Sequence, residues 1–290
     1  MLKLEVTESY ENVRVDRVAR DLMKEFTLSY IFSSFRKGKI KVNGKKVEQN
    51  YRLQLGDSVV FFDLQGEIEK KTVVEVVSHA ECEKIASQIV FQNEDFLLFN
   101  KHGNQVIHTG SDHEAGIIEV LKQYFQNPDL TAINRLDKPT LGLVLIGKTK
   151  SSIRKLSEYL RDDLIEKRYL ALCQGEKRRN FVISKPLLVE EERVTVSQLG
   201  KESRTGVNFV LSNANLHLLE LELFTGRKHQ IRVHLASEKL PIVGDYKYGV
   251  KYGKMMYLAA YYIAIRPLNF TFELTEIKEK FKEYLNRESR

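Results

Sequence analysis

With 290 residues, 42% of them hydrophobic, the chain can bury a core without staples and is long enough for two domains. Its two cysteines, Cys82 and Cys173, are unpaired in spacing, which argues against a disulfide framework or a thiolate metal cage. A formal charge of +7 suits a polyanionic partner, and the absence of a signal-like start or a membrane-length apolar run predicts a soluble protein of the reducing cytoplasm.

From Arg14 onward, Val15, Val18, Ala19, Leu22 and Met23 recur at helical spacing, and a second short helix is predicted over 29–37, stopped by Gly38. Ile40 and Val42 then alternate ahead of Asn43-Gly44, a strong hairpin signal, with a return strand near Val47 and a further strand at 59–62 after the Gly56-Asp57 turn. Within this predicted unit of 12–62, Arg36, Lys37, Lys39, Lys41, Lys45 and Lys46 are interrupted by no acidic residue. They concentrate positive potential in one small element and are candidates for holding a polyanion.

Residues 63–86 read as a charged linker whose main pattern is a strand at 73–77. The second domain, 87–290, is predicted to hold strands at 89–91, 96–100, 143–146, 168–173 and 218–223. Helices are predicted at 114–125, with Ile117, Val120, Leu121 and Tyr124 on one face, and at 151–164, with Ile153, Leu156, Leu160 and Leu164. Strands and helices do not alternate strictly, so the fold expected is α+β, with a mixed, largely antiparallel sheet flanked by helices and loops. No glycine-rich phosphate loop appears, which disfavours a nucleotide-binding α/β enzyme.

The segment Asn134-Arg135-Leu136-Asp137-Lys138-Pro139-Thr140-Leu141-Gly142 joins a carboxylate to flanking cations in a turn stiffened by proline, directly before an apolar strand. From spacing alone the plainer reading is a surface turn with a weak Arg135–Asp137 ion pair. His229 and His234 lie five apart, unlike the i, i+4 pair that sets two ligands on one helix face, and no Glu or Cys beside them completes a shell. No metal site is predicted, and both histidines are expected to pack or to touch the polyanionic partner.

The chain resembles the RluA-type RNA pseudouridine synthases in four motifs that occur in the family's order. Asn134 to Gly142 is similar to the family's His-Arg-Leu-Asp-x-x-Thr-Ser-Gly signature, and Asn100-Lys101 with Val106-Ile107-His108-Thr109-Gly110 to its early Asn-Lys-Pro-x-Gly and Val-His segment. Glu166-Lys167-Arg168-Tyr169-Leu170-Ala171-Leu172 resembles its Lys-x-Tyr strand, and Thr225-Gly226-Arg227-Lys228-His229-Gln230-Ile231-Arg232 its Thr-Gly-Arg-x-His-Gln-Ile-Arg block. The likeness covers about residues 89 to 263. The unit at 12–62 separately resembles the small RNA-binding domain of ribosomal protein S-four, through Gly38-Lys39-Ile40-Lys41-Val42-Asn43-Gly44.

The resemblance implies an isomerase that extrudes a uridine, breaks its bond to ribose and rejoins the base through carbon five, without a cofactor. It makes Asp137 the catalytic carboxylate, as nucleophile or as base on a sugar proton, with Arg227 beside it favouring the charged form. Tyr169 is implied to pack on the uracil and take part in proton transfer, although a strand tyrosine is more often core. Arg135 is implied either to fill the gap left by the flipped base or to make a phosphate contact. His108, Lys228 and Arg232 are further candidates for RNA contacts, beside the six basic residues of the amino-terminal unit. The expected partner is ribosomal RNA, bound by a monomer; Val106 to Ser111 and Gly200-Lys201-Glu202-Ser203 look closest to the RluC branch, which modifies the large-subunit RNA. A catalytically silent RNA-binding or ribosome-assembly protein is the competing reading, and a hydrolase would instead release free base. The chain departs from the family's pattern at Asn134, at Leu141 and at Lys101-His102-Gly103.

Overall fold

The computed structural model describes residues 2–7, 10–23, 26, 28–62, 77–109, 115–191, 193–253 and 255–287. The chain divides into two compact units, Met1–Val76 and Val77–Arg290.

In the first unit, helices α1 (Val15–Leu22) and α2 (Leu28–Arg36) accompany a four-stranded antiparallel sheet of order β1-β4-β2-β3. Its strands are β1 (Leu2–Glu5), β2 (Ile40–Val42), β3 (Lys45–Lys46) and β4 (Ser58–Phe61). The helical spacing read from sequence buries Val15, Val18, Ala19 and Met23 against Ile31, Phe35, Ile40, Val42, Val59 and Phe61. Asn43 (φ 50°) and Gly44 (φ 75°) take the left-handed pair of conformations that a two-residue hairpin needs, so Val42 faces Lys45 and Lys41 faces Lys46. Buried Asp57 anchors this hairpin by accepting from Asn43 Nδ2 at 2.7 Å, and it also takes the Gln54 N–H at 2.8 Å. Arg36, Lys37, Lys45 and Lys46 are exposed, and Lys39 and Lys41 half-buried. β1, which the sequence reading did not include, pairs with β4.

The predicted linker ends earlier than 86. Residues 77–86 contain helix α3 (His79–Ala86), capped by the Ser78 hydroxyl, which accepts from the Glu81 N–H at 3.3 Å. Cys82 of α3 packs with Val77 and with Val120 of α4 (Ile117–Phe125), so this stretch belongs to the second unit. The strand expected at 73–77 lies outside the described residues, except for Val77, which is not in a strand.

The second unit is built on one large mixed sheet. Its strands β5 (Ile89–Gln92), β6 (Phe96–Lys101), β8 (Leu141–Gly147), β9 (Ile165–Gln174), β10 (Phe181–Ser184), β13 (Arg204–Asn213), β14 (Leu216–Leu223) and β15 (Leu258–Ile265) run in the order β10-β13-β14-β9-β15-β8-β6-β5. β7 (Thr131–Ala132) adds to β8 and β16 (Phe270–Glu273) to β15. Every pairing is antiparallel except β15 with β8, so the sheet is mixed and largely antiparallel, as the irregular element order implied. Strands β6, β8 and β15, and β9 from Tyr169 to Cys173, read as nearly continuous apolar runs because both of their faces are covered. Helix α5 (Lys150–Arg161) and α7 (Thr275–Arg287) add Leu156, Ile277, Phe281 and Leu285 to one core cluster, whereas α6 (Gln230–Ser237) adds Ile231 and Leu235 to another that contains Tyr169. A hairpin of β11 (Leu187–Glu190) and β12 (Arg193–Val196) stands apart from the large sheet. The helix predicted at 114–125 begins at Ile117, and Tyr124, expected on its apolar face, is exposed instead.

Candidate active site

Asp137 sits in the loop between β7 and β8, and several buried groups fix that loop. Gly142, the second residue of β8, has φ 103°, and a Cβ there would lie 2.0 Å from the Ala260 carbonyl oxygen of β15. Only glycine lets the loop enter the sheet that close to its neighbour. Asn134 is buried; it donates Nδ2 to the Leu143 carbonyl at 3.3 Å and accepts the Leu145 N–H at 2.7 Å. An asparagine in place of the family's histidine therefore ties the loop to the strand that follows.

The fully buried Lys101 supplies the other clamp. Its ammonium donates to the carbonyls of Lys138 (2.7 Å), Thr140 (2.7 Å) and His102 (3.1 Å), two of them in the Asp137 loop. Burial lowers its pKa to about 8, and the Asp137 charge opposes that shift. Leu141, where the family carries serine, contributes its side chain to the core beside Gly103 rather than a hydroxyl to the loop.

The guanidinium on Asp137 belongs to Arg232, not to Arg227. Arg232 Nη1 donates to Asp137 Oδ2 at 3.0 Å, while Nε and Nη2 make a fork to the two oxygens of Asp245 at 2.7 and 2.8 Å. Arg232 is 6% exposed and Asp245 1%, so the phosphate contact expected of Arg232 is corrected to an internal, carboxylate-bridging role. Its place on the inward face of α6 is the physical reason. Arg227 precedes that helix, is exposed, and donates Nε to the Glu202 carbonyl at 3.2 Å. Each carboxylate favours the charged form of Arg232, whose pKa is raised despite burial, and Arg232 holds the Asp245 pKa below its usual value.

Asp137 keeps 26% of its side chain exposed, and its Oδ1 has no hydrogen-bond partner among the described residues. Tyr169, on β9, is buried in the cluster that Leu136 also touches. Burial, with the Asp137 charge second, pushes the Tyr169 phenol well above its ordinary pKa, so the hydroxyl stays protonated. It has no hydrogen-bond partner among the described residues. Together these groups make a carboxylate with one oxygen clamped and one available, beside a neutral phenol.

The other candidates are dispersed. Arg135 is exposed two residues before Asp137 and makes no ion pair among the described residues. Lys228 is exposed at the start of α6. His108 lies 3.4 Å from Glu119 of α4 through Nδ1. His229, expected to pack or touch RNA, turns Nε2 toward Asp137 Oδ2 at 3.8 Å, whereas His234 is a buried packing residue between Ser203, Thr205 and the Lys185 carbonyl. Among the described residues no group of three His, Cys, Asp or Glu comes together to hold a metal ion, and no helix is long and apolar enough to cross a membrane.

Residues 95–237, which carry all of these groups except Asp245, match the family model for RNA pseudouridylate synthase. A ribosomal large subunit pseudouridine synthase C from Buchnera aphidicola subsp. Baizongia pistaciae is 35% identical over 263 residues, covering 86% of this chain and 81% of that protein. The chain belongs to the RNA pseudouridine synthase family. The synthase is thus an isomerase acting on RNA. The ribosomal large subunit pseudouridine synthase C of Escherichia coli K12 is 32% identical over 254 residues, with 84% and 78% coverage. Among solved structures, human RNA pseudouridylate synthase domain containing 1 matches with a TM-score of 0.55 and 25% identity over 64% of this chain and 81% of that one. The human domain containing 4 matches in fold, with a TM-score of 0.57 and 20% identity over 67% and 90%.

Asp245 and Lys101 are members of the synthase's site that the sequence does not mark as such. Lys101 lies in a motif of the resemblance, and nothing in its spacing announces burial. Asp245 follows Gly244, whose φ of 77° and whose Cβ position 1.8 Å from the Met255 carbonyl mark a close-packed turn. That Gly-Asp pair was the available signal.

Proposed function

We propose that the protein converts specific uridines of large-subunit ribosomal RNA into pseudouridine, with Asp137 as the reacting carboxylate. The observation that carries this reading is the division of labour at Asp137: Arg232 engages Oδ2, and Oδ1 is left for the sugar. The ribosomal RNA substrate follows from the names of relatives that match over more than four-fifths of this chain.

In the reaction the bond from ribose to the ring nitrogen breaks, the uracil turns, and carbon five bonds to the sugar. The proton on carbon five leaves and the ring nitrogen gains one, so substrate and product are isomers. Asp137 acts through Oδ1, either on the sugar carbon or on a sugar proton. The positive guanidinium at Oδ2 stabilises the ionised carboxylate that either route needs. Tyr169, protonated and next to the carboxylate, packs on the base and is a poor base in its own right until the substrate is bound. Arg135 reaches from the rim into the space the flipped nucleotide vacates. Arg227 and Lys228, both exposed before α6, contact phosphates, as does His108.

The amino-terminal unit holds the same RNA chiefly through phosphates, using Arg36, Lys37, Lys39, Lys41, Lys45 and Lys46. The protein works in the cytoplasm as a monomer. The test is to incubate it with unmodified ribosomal RNA and map pseudouridine. Asp137→Asn is expected to bind the RNA nearly as well and form no product, and turnover by that variant would remove the assignment.

A further inference from the structure

His229 is the group at the site that the reaction scheme leaves unused. Its ring, 12% exposed, stands between two oxygens, with Nε2 3.8 Å from Asp137 Oδ2 and Nδ1 2.8 Å from the Tyr248 phenol oxygen. Tyr248 is itself held at several points. Its phenol oxygen accepts the Val194 N–H of β12 at 3.0 Å, its own N–H donates to Asp245 Oδ1 at 3.2 Å, and its ring lies 5.1 Å from the Arg232 guanidinium carbon.

These contacts choose a tautomer. A phenol oxygen that already accepts one N–H retains its O–H to donate, and Nδ1 of His229 is the acceptor within reach. With Nδ1 accepting, the neutral ring carries its proton on Nε2, the nitrogen that faces the carboxylate. The opposite tautomer sets a lone pair against the Asp137 charge and leaves the phenol proton without that acceptor, so hydrogen bonding and electrostatics agree. The charged groups around the ring are Asp137, Arg232, Lys247 and Lys228. Burial lowers the ring's pKa, the three cations add to that, and Asp137 opposes them, which leaves the imidazole neutral at pH 7.

We propose that His229 is a positioning residue for Asp137: its Nε2–H, fixed by the Tyr248 phenol, holds Oδ2 on the side of Arg232 and keeps Oδ1 free for the sugar. This rests on the reading of Asp137 as the reacting carboxylate. The 3.8 Å separation makes the contact electrostatic rather than a hydrogen bond. Because Tyr248 also takes the Val194 N–H, the β11–β12 hairpin helps to set the imidazole.

The tautomer is read directly by long-range proton–nitrogen correlation spectra of the ¹⁵N-labelled full-length protein at pH 7, with His229→Leu identifying the signal. The Nε2–H pattern is expected for His229, and a Tyr248→Phe protein should show a mixture of tautomers. An Nδ1–H pattern or a doubly protonated ring in the unaltered protein overturns the proposal. In single-turnover assays on ribosomal RNA, His229→Leu should slow the reaction about tenfold to a hundredfold with RNA affinity kept, since displacement of a reacting group costs on that order. His229→Gln, which restores an N–H donor near the Nε2 position, should recover most of the rate. A Leu variant as fast as the parent, or no recovery with Gln, also overturns it. Failure of the Asp137 reading appears differently, as product formation by Asp137→Asn with the ring tautomer unchanged.

Discussion

Replacing Arg232 with methionine separates what the guanidinium does for folding from what it does for catalysis. Arg232 donates three charge-assisted hydrogen bonds, two to Asp245 and one to Asp137. Asp245 is 1% exposed and, among the described residues, keeps only the backbone N–H groups of Lys247 and Tyr248 once the arginine is gone, whereas Asp137 is 26% exposed and regains water. The stability cost therefore concentrates on Asp245, at about 3–5 kcal/mol for a buried charge left without its partner. Catalysis loses the donor at Oδ2, worth about 10²–10³ in rate if it resembles other preorganised donors to a reacting oxygen. Adding Asp245→Asn to Arg232→Met removes the orphaned charge, so urea unfolding should show a large part of the stability regained. The rate of pseudouridine formation should stay low, because Asp137 still lacks its cation. Arg227→Met, made in parallel, should leave stability within about 0.5 kcal/mol, as an exposed substitution does. A single Arg232→Met protein with normal urea midpoint and normal turnover would refute the reasoning, and so would a larger catalytic loss from Arg227→Met at saturating RNA.

Lys101 links the loop to pH. Its ammonium uses three N–H groups on three carbonyls and a neutral amine has two, so turnover should fall as pH rises through about 8, and Lys101→Met should be slow at every pH without that limb. Stability should move the other way. The folded pKa lies below the ordinary lysine value of 10.5, the unfolded chain binds more protons between the two, and urea midpoints should rise across that window in the parent but less in Lys101→Met. Lys45→Gln with Lys46→Gln should make the log–log salt dependence of RNA binding shallower by about 1–2 units, as counterion release from two phosphates requires; an unchanged slope would put those lysines outside the interface. Gly142→Ala must place a methyl group 2.0 Å from a backbone carbonyl at φ 103°, and a loss of more than about 2 kcal/mol is expected in chemical unfolding, with turnover reduced in whatever fraction folds.

Much of this was legible because local chemistry and fold agreed. The Asn43-Gly44 turn, the spacing of Val15, Val18, Ala19 and Met23, and the apolar runs of β6 and β8 each have one physical solution, and the structure adopts it. Asp137 and Tyr169 were singled out by the family resemblance rather than by local chemistry, and in the structure the Asp137 charge does act on the Tyr169 phenol. Arg227 and Arg232 were not separable in that way. Both sit in a single block, and the one facing Asp137 depends on where α6 begins and which way its third residue points, a question of tertiary packing. Lys101 shows the same limit in a sharper form: a lysine reads as surface in any sequence, and only three converging carbonyls explain why this one is buried.

The position of β15 in the middle of the sheet governs how the protein comes to life during synthesis. Its parallel contact with β8, Ala259 opposite Leu141 and Ala260 opposite Gly142, closes a loop of well over a hundred residues at the base of the Asp137 segment. Such a distant pairing forms late. A nascent chain that has already exposed every motif from Asn100 to Arg232 still lacks the neighbour that seats its aspartate, so the Asp137 loop gains its full support only after residues as far as Ala260 have been made.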